Sequence, residues 1–584
     1  MKTEVRFLLA VFMMLAVLLG TNRLFPPVIP DAQELPADSV AVSLDGGAGS
    51  TGGAAPRLPV GPAGQSASAN IDASAAGTDL ADGDAPVPTE MPVVDVVVEG
   101  PLYRFNFTSA GARMTSGELL QFEALNRGGM VQLVPEGAGA YLGQKLVVGS
   151  DTLDLSEARF RAEPEGGVQL QEGGGPETLR FVYEAPTGAF RFEVAYTFDP
   201  DRYEVGVSGR VDGVDRALLV TDLGAGLAYA ESDSALEARA MAYVYNHSTE
   251  SIRSTLLQKA DPEVVNGPLV WAAFRSKFFV MALLAGDGSE EEDEEIAPDR
   301  LLGGLLVAES PLEDRVRIAV AQTVSGGRDY GYRLFMGPQE YARLSSLGQG
   351  MEEVNPYGWR IFRPIVRPIV SVILTIFVYL HTTLNLGYGW VLVVFGVMMR
   401  VVLFPLNHKA MKAQLRNMSV QPLVKEIQDR HKDNPEKLQK EMMKLYKEHG
   451  FNPVAGCLPM LLPWPVLIAL FFVFQNTIEL RGVPFLWLPD LSAKDPFYIL
   501  PVVLALSMFL MQWVSLRSLE QENQQMKMMM YIMPPMMLFI FMNLASGLNL
   551  YYATANIATL PQQIWIARER AKMKAGPPLS LARD

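Results

Sequence analysis

The chain has 584 residues, with 49 Lys and Arg against 64 Asp and Glu, and its mean hydropathy is +0.14. This length allows two or three domains, and the hydropathy is high for a soluble protein. One cysteine, Cys457, excludes a disulfide framework, and five scattered histidines give no metal-ligand spacing. The sequence therefore predicts no metal site and no cofactor.

Polarity is distributed unevenly along the chain. Long apolar runs lie within 1–20 and 357–567, whereas 21–350 is polar and Gly-rich, with acids outnumbering bases about two to one. A strongly acidic block argues against direct binding of nucleic acid. The pattern predicts a multi-domain membrane protein with one large polar domain.

The N-terminus carries Lys2 and Arg6 before an apolar run over 7–20. No small-x-small site closes this run, which favours an uncleaved transmembrane anchor at 1–21 over its main alternative, a cleaved signal peptide. In both cases the positive residues stay in the cytoplasm and the following block is exported. Residues 22–92, rich in Pro, Ala, Gly, Ser and Asp, predict a disordered linker.

Short alternating segments broken by Gly, Asp and Pro occupy residues 93–345. Their period of two predicts half-buried strands and an exported all-β sandwich, with a solvated acidic loop at 290–295. No catalytic constellation stands out in this block. The segments with the clearest alternation are Val93–Val98, Tyr103–Phe107, Leu179–Tyr183, Phe190–Phe198, Tyr203–Gly209 and Val316–Gln322.

Residues 346–387 carry several arginines before an apolar run over 369–380. If this segment crossed the membrane, the next helix would leave 407–450 outside. The 407–450 segment holds ten Lys and Arg against six acids, so the positive-inside rule places it in the cytoplasm. We therefore expect an interfacial amphipathic helix on the outer membrane face at 346–387.

The remaining apolar runs give an all-α polytopic core at 388–567 and a basic cytoplasmic tail at 568–584. With the anchor there are six transmembrane helices, five of them in the core, so both termini are expected in the cytoplasm. The expected helices are 6–21, 388–406, 454–474, 497–515, 527–545 and 547–567.

The 407–450 segment predicts a cytoplasmic helical hairpin. Its second helix has Asn434 as N-cap, Pro435 in the first turn and Gly450 at its end. Apolar stripes on the two helices pack either on each other or on a partner. Their charged faces are solvated, or contact anionic lipids or the ribosome.

Arg400 lies inside the apolar helix 388–406, where a guanidinium costs roughly 2.5–3.5 kcal/mol on insertion scales. One interpretation is snorkelling to the inner interface, since only about 10 Å of helix separates it from Asn407. The other is a functional charge in a wet cavity. Five polar residues spaced three or four apart on one face of the last helix favour the cavity: Asn549, Tyr552, Asn556, Thr559 and Gln563. Interhelical hydrogen bonding is the alternative for any one of them.

Methionines concentrate between 526 and 542, and prolines interrupt the third and fifth predicted spans. Flexible Met side chains suit surfaces that accept varied apolar partners, whereas simple filling of the core is the alternative for each one singly. The Pro534-Pro535 pair is expected to break its helix and to leave carbonyl groups that neighbours or water must satisfy.

Several motifs of the membrane block resemble the YidC/Oxa/Alb family of membrane protein insertases. They are Arg400-Val-Val-Leu-Phe-Pro405, Glu441-Met-Met-Lys-Leu-Tyr446, Asn452-Pro-Val-Ala-Gly-Cys-Leu-Pro459, Asp490-Leu-Ser-Ala-Lys-Asp-Pro-Phe-Tyr-Ile-Leu-Pro501 and Ser546-Gly-Leu-Asn-Leu-Tyr-Tyr552. The order of anchor, exported sandwich, interfacial helix and five-helix core resembles the Gram-negative form. The resemblance covers roughly 355–570.

This resemblance implies a non-enzymatic insertase and chaperone in the bacterial inner membrane, acting alone or beside the Sec translocon on nascent membrane proteins. It implies a hydrophilic, lipid-open groove with Arg400 at its base. The implied groove residues are Arg400, Asn549, Tyr551, Tyr552, Asn556, Thr559 and Gln563. The implied slide for apolar substrate segments comprises Met529, Met530, Met533, Met537, Leu462 and Leu467.

Two positions depart from the family pattern, because Gly396 and Pro463 stand where polar groove residues are expected. Two other functions stay open from the residues alone. A secondary transporter would show internal repeats, which five unequal core helices lack. An envelope protein acting on carbohydrates or peptides through its sandwich would need a carboxylate pair in a cleft for glycoside chemistry.

Overall fold

The structure is a computed structural model. It describes residues 92–139, 141–186, 188, 190–286, 296–298, 300–310, 312, 315–355, 363–405, 427, 430–431, 435–448, 464–517 and 524–575. The predicted anchor, the linker up to residue 91, the acidic loop, most of the first hairpin helix and the basic tail beyond 575 lie outside these residues, as do Asn434, Gly450, Cys457, Leu462 and Pro463.

The described residues form a strand-rich part followed by a helical part. The strands are β1 Asp95–Glu99, β2 Tyr103–Thr108, β3 Arg113–Glu123, β4 Met130–Gln132, β5 Gln144–Val148, β6 Asp151–Asp154, β7 Arg161–Glu163, β8 Val168–Gln169, β9 Glu177–Glu184, β10 Arg191–Phe198, β11 Glu204–Asp212, β12 Arg216–Gly224, β13 Ala242–His247, β14 Arg253–Leu256, β15 Glu263–Arg275, β16 Phe279–Ala285, β17 Leu302–Glu309, β18 Val316–Ser325 and β19 Asp329–Pro338. The helices are α1 Ser234–Ala240, α2 Tyr341–Ser346, α3 Arg363–Leu384, α4 Tyr388–Pro405, α5 Pro435–Glu448, α6 Trp464–Asn476, α7 Ile499–Arg517, α8 Gln524–Phe541 and α9 Ser546–Ala575.

Two sheets form the polar domain. The smaller has the order β4-β3-β2-β1-β8, and the larger runs β6-β5-β12-β18-β17-β15-β16-β19-β11-β10-β9-β7, with β13 and β14 attached through β15. The sheets share one apolar core, in which Phe107 of β2 lies 6.0 Å from Phe181 of β9 and 5.2 Å from Tyr196 of β10, between ring centroids. The strand alternation buries these rings and leaves the intervening residues outside. The predicted β-sandwich is confirmed.

The sandwich core continues past the predicted boundary at residue 345. Met351 and Val354 are fully buried in it, and the carbonyl oxygen of Gln349 accepts hydrogen bonds from Trp271 Nε1 and Asn246 Nδ2, both at 3.0 Å. The C-terminal end of the sandwich is set by these contacts of Gln349 with β15 and β13. Strand periodicity in the sequence does not reveal such contacts.

The helical region has a second apolar core, made by one face each of α3, α4, α6 and α9 together with the segment between α6 and α7. By length and composition α3 (21 residues from Pro364) and α4 (18 residues) are long enough to cross a membrane. The described apolar parts of α6, α7 and α8 are shorter, at Val466–Asn476, Ile499–Val514 and Met530–Phe541. The predicted helical membrane core is therefore present, while the number of crossings stays a prediction.

Two local predictions concern prolines, and their outcomes differ. Helix α8 runs through Pro534 and Pro535 without a break, so the expected interruption is wrong there. A proline removes one backbone donor, and small local adjustments in a packed membrane helix absorb that loss. The second hairpin helix is described over Pro435–Glu448, while the predicted N-cap Asn434 and stop Gly450 lie outside the described residues, so both stay predictions.

Candidate functional site

Arg400 lies in the last third of α4, one turn after Gly396. A Cβ atom at Gly396 would lie 3.3 Å from Thr554 Cγ2 and 3.4 Å from the carbonyl oxygen of Tyr551. The glycine therefore lets α4 approach α9 closely, as small residues do between membrane helices. Where a polar groove residue was expected, this chain has a helix–helix contact that holds Arg400 beside α9.

The Arg400 guanidinium is half-buried and interacts electrostatically with the side chains of Tyr551 and Tyr552. Among the residues that the structure describes, no carboxylate lies within 4.0 Å of it. The two tyrosine rings are 5.3 Å apart, at 64° to each other. Arg400 is thus a half-buried positive charge near the side chains of Tyr551 and Tyr552.

Packing fixes both tyrosines. The Tyr551 ring is 4 % exposed and lies 5.8 Å from Phe395 of α4 and 6.1 Å from Phe474 of α6. Tyr552 is half-buried and meets Phe541 of α8 edge-on at 5.4 Å. The structure therefore brings together Arg400, Tyr551 and Tyr552, which were predicted to share a site.

The other predicted groove residues are engaged within the protein. Asn549 is fully buried and its Nδ2 donates to the carbonyl at the end of α8, 3.0 Å away. Asn556 Nδ2 donates to Ser507 Oγ of α7 at 3.3 Å, and Thr559 Oγ1 donates to its own helix backbone at 2.6 Å. Gln563 is half-buried and also has a partner. The contacts of Asn549 and Asn556 correspond to the interhelical alternative, whereas that of Thr559 lies within its own helix. The groove role of the four residues stays a prediction.

The predicted slide is only partly exposed along α8. Met530 is buried, Met533 and Met537 are half-buried, and Leu467 of α6 is half-buried as well. The side chain of Met529 lies outside the described part. The exposed large apolar side chains of α8 are instead Tyr531, Phe539 and Ile540, which are 63 %, 71 % and 44 % exposed. These three residues were not predicted from the sequence, because the many methionines around them were considered instead. Large apolar side chains on one helix were the feature that could have predicted an exposed apolar surface here.

The outer end of the bundle is covered by residues 477–498, which we call the outer loop. The ring of Phe485 lies against Gly389 at the start of α4, so that a Cβ atom there would be 2.0 Å from the ring. The loop is also bound to the first turn of α9, because Ser546 N donates to the Ala493 carbonyl at 2.7 Å and Gly547 N to the Leu491 carbonyl at 2.8 Å. The outer loop is therefore packed on the ends of α4 and α9 that lie nearest the sandwich.

Buried acids give the outer loop its shape, and the sequence did not single out their role. Asp490 Oδ1 accepts from the backbone of Gly482 at 3.0 Å and of Ser492 at 2.7 Å. Asp495 Oδ2 accepts from Leu500 N at 2.7 Å and so caps α7. Within the described residues, no group of three His, Cys, Asp or Glu side chains has the arrangement of a metal site.

Comparison with known proteins agrees with both halves of this architecture. Residues 95–372 match the model of the YidC periplasmic domain, and 379–574 match that of the 60Kd inner membrane protein. A membrane protein insertase YidC of Chlorobium phaeovibrioides is 32 % identical over 519 residues, covering 81 % of this chain and 83 % of the relative. This chain belongs to the YidC family of membrane protein insertases. It is therefore an inner-membrane protein with a periplasmic sandwich.

Other relatives extend the comparison. The membrane protein insertase YidC of Chlorobium luteolum is 32 % identical, over 67 % of this chain and 69 % of its own length. A solved structure described as an active YidC insertase with its first transmembrane domain resolved shares 18 % identity, with a TM-score of 0.32, over 81 % of this chain and 92 % of the solved chain.

Proposed function

We propose that this chain inserts newly made membrane proteins into the inner membrane, with Arg400, Tyr551 and Tyr552 receiving the polar end of the substrate. The observation that carries the proposal is a half-buried guanidinium beside two packed tyrosines, with no acidic partner in the described part of the chain. Such a charge attracts an acidic flank that must leave water. The outer loop closes the far side, so substrate reaches the site from the cytoplasm or from lipid.

The free energy for this task comes from the substrate. Burial of an apolar segment of about 20 residues yields roughly 0.8 kcal/mol for each CH₂ group, so no nucleotide is required. The barrier is the transfer of the polar flank through hydrocarbon. A groove lined by Arg400 and polar groups shortens that path, and the exposed apolar side chains of α8 offer a surface for the segment that follows. In this scheme the chain acts without covalent catalysis.

The finer topology belongs to the same proposal. Six crossings, both termini in the cytoplasm, and a cytoplasmic 407–450 hairpin follow from the positive-inside rule. Helix α3 then lies at the outer interface, where Arg367 Nη2 is bound to Glu352 Oε1 at 2.7 Å on the sandwich side. The hairpin would receive nascent chains, with the Sec translocon, the ribosome and anionic lipids as partners. The departures at Gly396 and Pro463 leave Arg400 as the principal polar group of the groove.

Protease protection of a small substrate in liposomes containing only this protein tests the activity. We expect protection above that of empty liposomes, and its absence with folded, correctly oriented protein would contradict insertion without a partner. Two substrates, one with an acidic translocated end and one nearly apolar, then test the site. Arg400→Ala should reduce protection of the acidic substrate about tenfold and spare the apolar one. Arg400→Lys, which keeps the charge, is the matched control, and equal loss for both substrates would refute the electrostatic role.

A further inference from the structure

The outer loop also faces the periplasmic sandwich. Three polar contacts join it to the segment between β12 and β13 and to the end of β15. Arg481 Nε lies 2.6 Å from Glu231 Oε1, Lys494 Nζ lies 3.3 Å from Asp233 Oδ2, and Lys277 Nζ donates to the carbonyl of Ser492 at 3.2 Å. The ion pair between Arg481 and Glu231 is buried, since the two side chains are 4 % and 7 % exposed.

The Arg481 guanidinium makes several contacts in addition to the ion pair. Besides the contact with Glu231, Arg481 Nη2 donates to the carbonyl oxygens of Glu123 at 2.9 Å and Ala230 at 3.3 Å, and its Cζ lies 5.1 Å from the centroid of the Phe279 ring. A buried ion pair persists only when further hydrogen bonds satisfy both partners. The fixed fork of arginine meets this demand, which the single ammonium of lysine does not.

The sandwich side of the pair is held in place by hydrogen bonds within the sandwich itself. The Glu237 carboxylate accepts from the backbone N–H groups of Ala230 and Glu231, each at 2.9 Å, which fixes the turn that carries Glu231. Asp233 Oδ1 caps α1 by accepting from Leu236 N at 3.0 Å, and its other oxygen faces Lys494. The acids therefore form a rigid surface complementary to the basic groups of the loop.

The outer loop is also hydrogen-bonded to the start of α9, the helix that carries Tyr551 and Tyr552. Ser546 Oγ donates to the carbonyl of Asp490 at 2.9 Å, in addition to the two backbone hydrogen bonds that Ser546 and Gly547 donate to the loop. Tyr551 and Tyr552 follow Ser546 within two turns of α9, about 8 Å along the helix axis. Gly482, the residue after Arg481, donates to the Asp490 side chain, and Asp490 in turn accepts from Ser546 at the start of the helix that faces Arg400.

We propose that Arg481 and Glu231 form an interdomain anchor that fixes the outer loop, and with it the first turn of α9, to the periplasmic domain. Both are positioning residues, since neither touches the Arg400 site. Their effect on insertion rests on the proposed function, whereas the anchor itself does not. The ion pair thereby joins the outer loop of the helical region, which supplies Arg481, to the exported domain, which supplies Glu231.

Hydrogen exchange of the full-length chain in nanodiscs tests the anchor. Arg481→Ala should accelerate exchange about tenfold in 226–233 and 482–495, without a change in the centre of the sandwich or in α4. The reversed pair Glu231→Arg with Arg481→Glu should restore at least part of the protection. Lys494→Ala is the matched control in the same loop, because its exposed pair contributes little. Unchanged exchange in Arg481→Ala, or a reversed pair no better than either single reversal, would overturn the proposal.

If Arg481→Ala does not fold, Glu231→Gln supplies the same test, because the amide keeps an acceptor while removing the charge. Arg481→Lys should show intermediate exchange, as the ammonium cannot reach all three acceptors. Insertion by each variant is then measured in the liposome assay. If the variants with faster exchange in the outer loop also lose protease protection of the substrate, the positioning role is supported. Full insertion by a variant whose outer loop exchanges fast refutes that role. Failure of the unmodified chain to insert would instead contradict the proposed function and leave the exchange result intact.

Discussion

Glu237 makes the stability of the periplasmic domain depend on pH. Its side chain is fully buried, and burial raises the pKa of the carboxyl group from 4.5 to about 7, against the opposing effect of the N–H donors of Glu231 and Ala230. Between these two values the folded chain holds a proton that the unfolded chain has released. The contribution of Glu237 to the free energy of unfolding is therefore greatest below pH 4.5, falls as the pH rises, and levels off above about 7.

The size of this effect follows from the two pKa values. At about 1.4 kcal/mol for each pKa unit, the difference between 4.5 and about 7 amounts to roughly 3 kcal/mol. Glu237→Gln retains an acceptor oxygen for the two N–H groups but does not titrate. We expect the variant to be more stable than the parent at pH 8 by up to about 3 kcal/mol, and at pH 5 by less than about 1 kcal/mol.

Pulse proteolysis of the full-length chain in urea, scored on the sandwich, measures this difference at both pH values. Glu136→Gln is the control, since that side chain is 91 % exposed. Burial also raises the pKa of Glu231, so part of the pH dependence should remain in the variant. The reasoning is refuted if Glu237→Gln shows the same pH dependence as the parent.

Two predictions concern packing in the helical region. Gly389→Ala should destabilise it by about 1–3 kcal/mol because its Cβ would overlap the Phe485 ring, whereas Gly387→Ala, with nothing within 4 Å, should change thermal unfolding little. Loss of the Ser507–Asn556 hydrogen bond should cost about 0.6 kcal/mol, measured as the coupling energy of a double-mutant cycle with Ser507→Ala and Asn556→Ala. An additive cycle, or equal effects at the two glycines, would contradict these assignments.

Periodicity predicted the secondary structure well where one face of an element is buried. The alternation Val194-Ala-Tyr196-Thr-Phe198 gives β10, and the apolar run after Gly387 gives α4 at the expected residues. The end of the sandwich was missed because Gln349 joins it through a hydrogen bond to Trp271, which lies far away in sequence. Local pattern carries no information about such contacts.

In the candidate site, too, local features of the sequence were predictive and contacts between distant residues were not. Arg400 was identified because a guanidinium in an apolar run is costly wherever it lies, and Tyr551 and Tyr552 through family motifs. The helical spacing of Asn549, Asn556 and Thr559 indicated a shared face, but spacing does not show whether that face meets water or another helix.

By itself the sequence determined the exported sandwich, the helical membrane core and the charge placed inside it, because hydrophobic periodicity and the cost of a buried charge are local properties. Tertiary structure alone decided which polar groups meet one another. It placed Gly396 against α9, turned Asn556 toward Ser507, and joined Arg481 to Glu231 across 250 residues of chain. Such pairings depend on how distant segments of the chain pack, which local sequence patterns do not show.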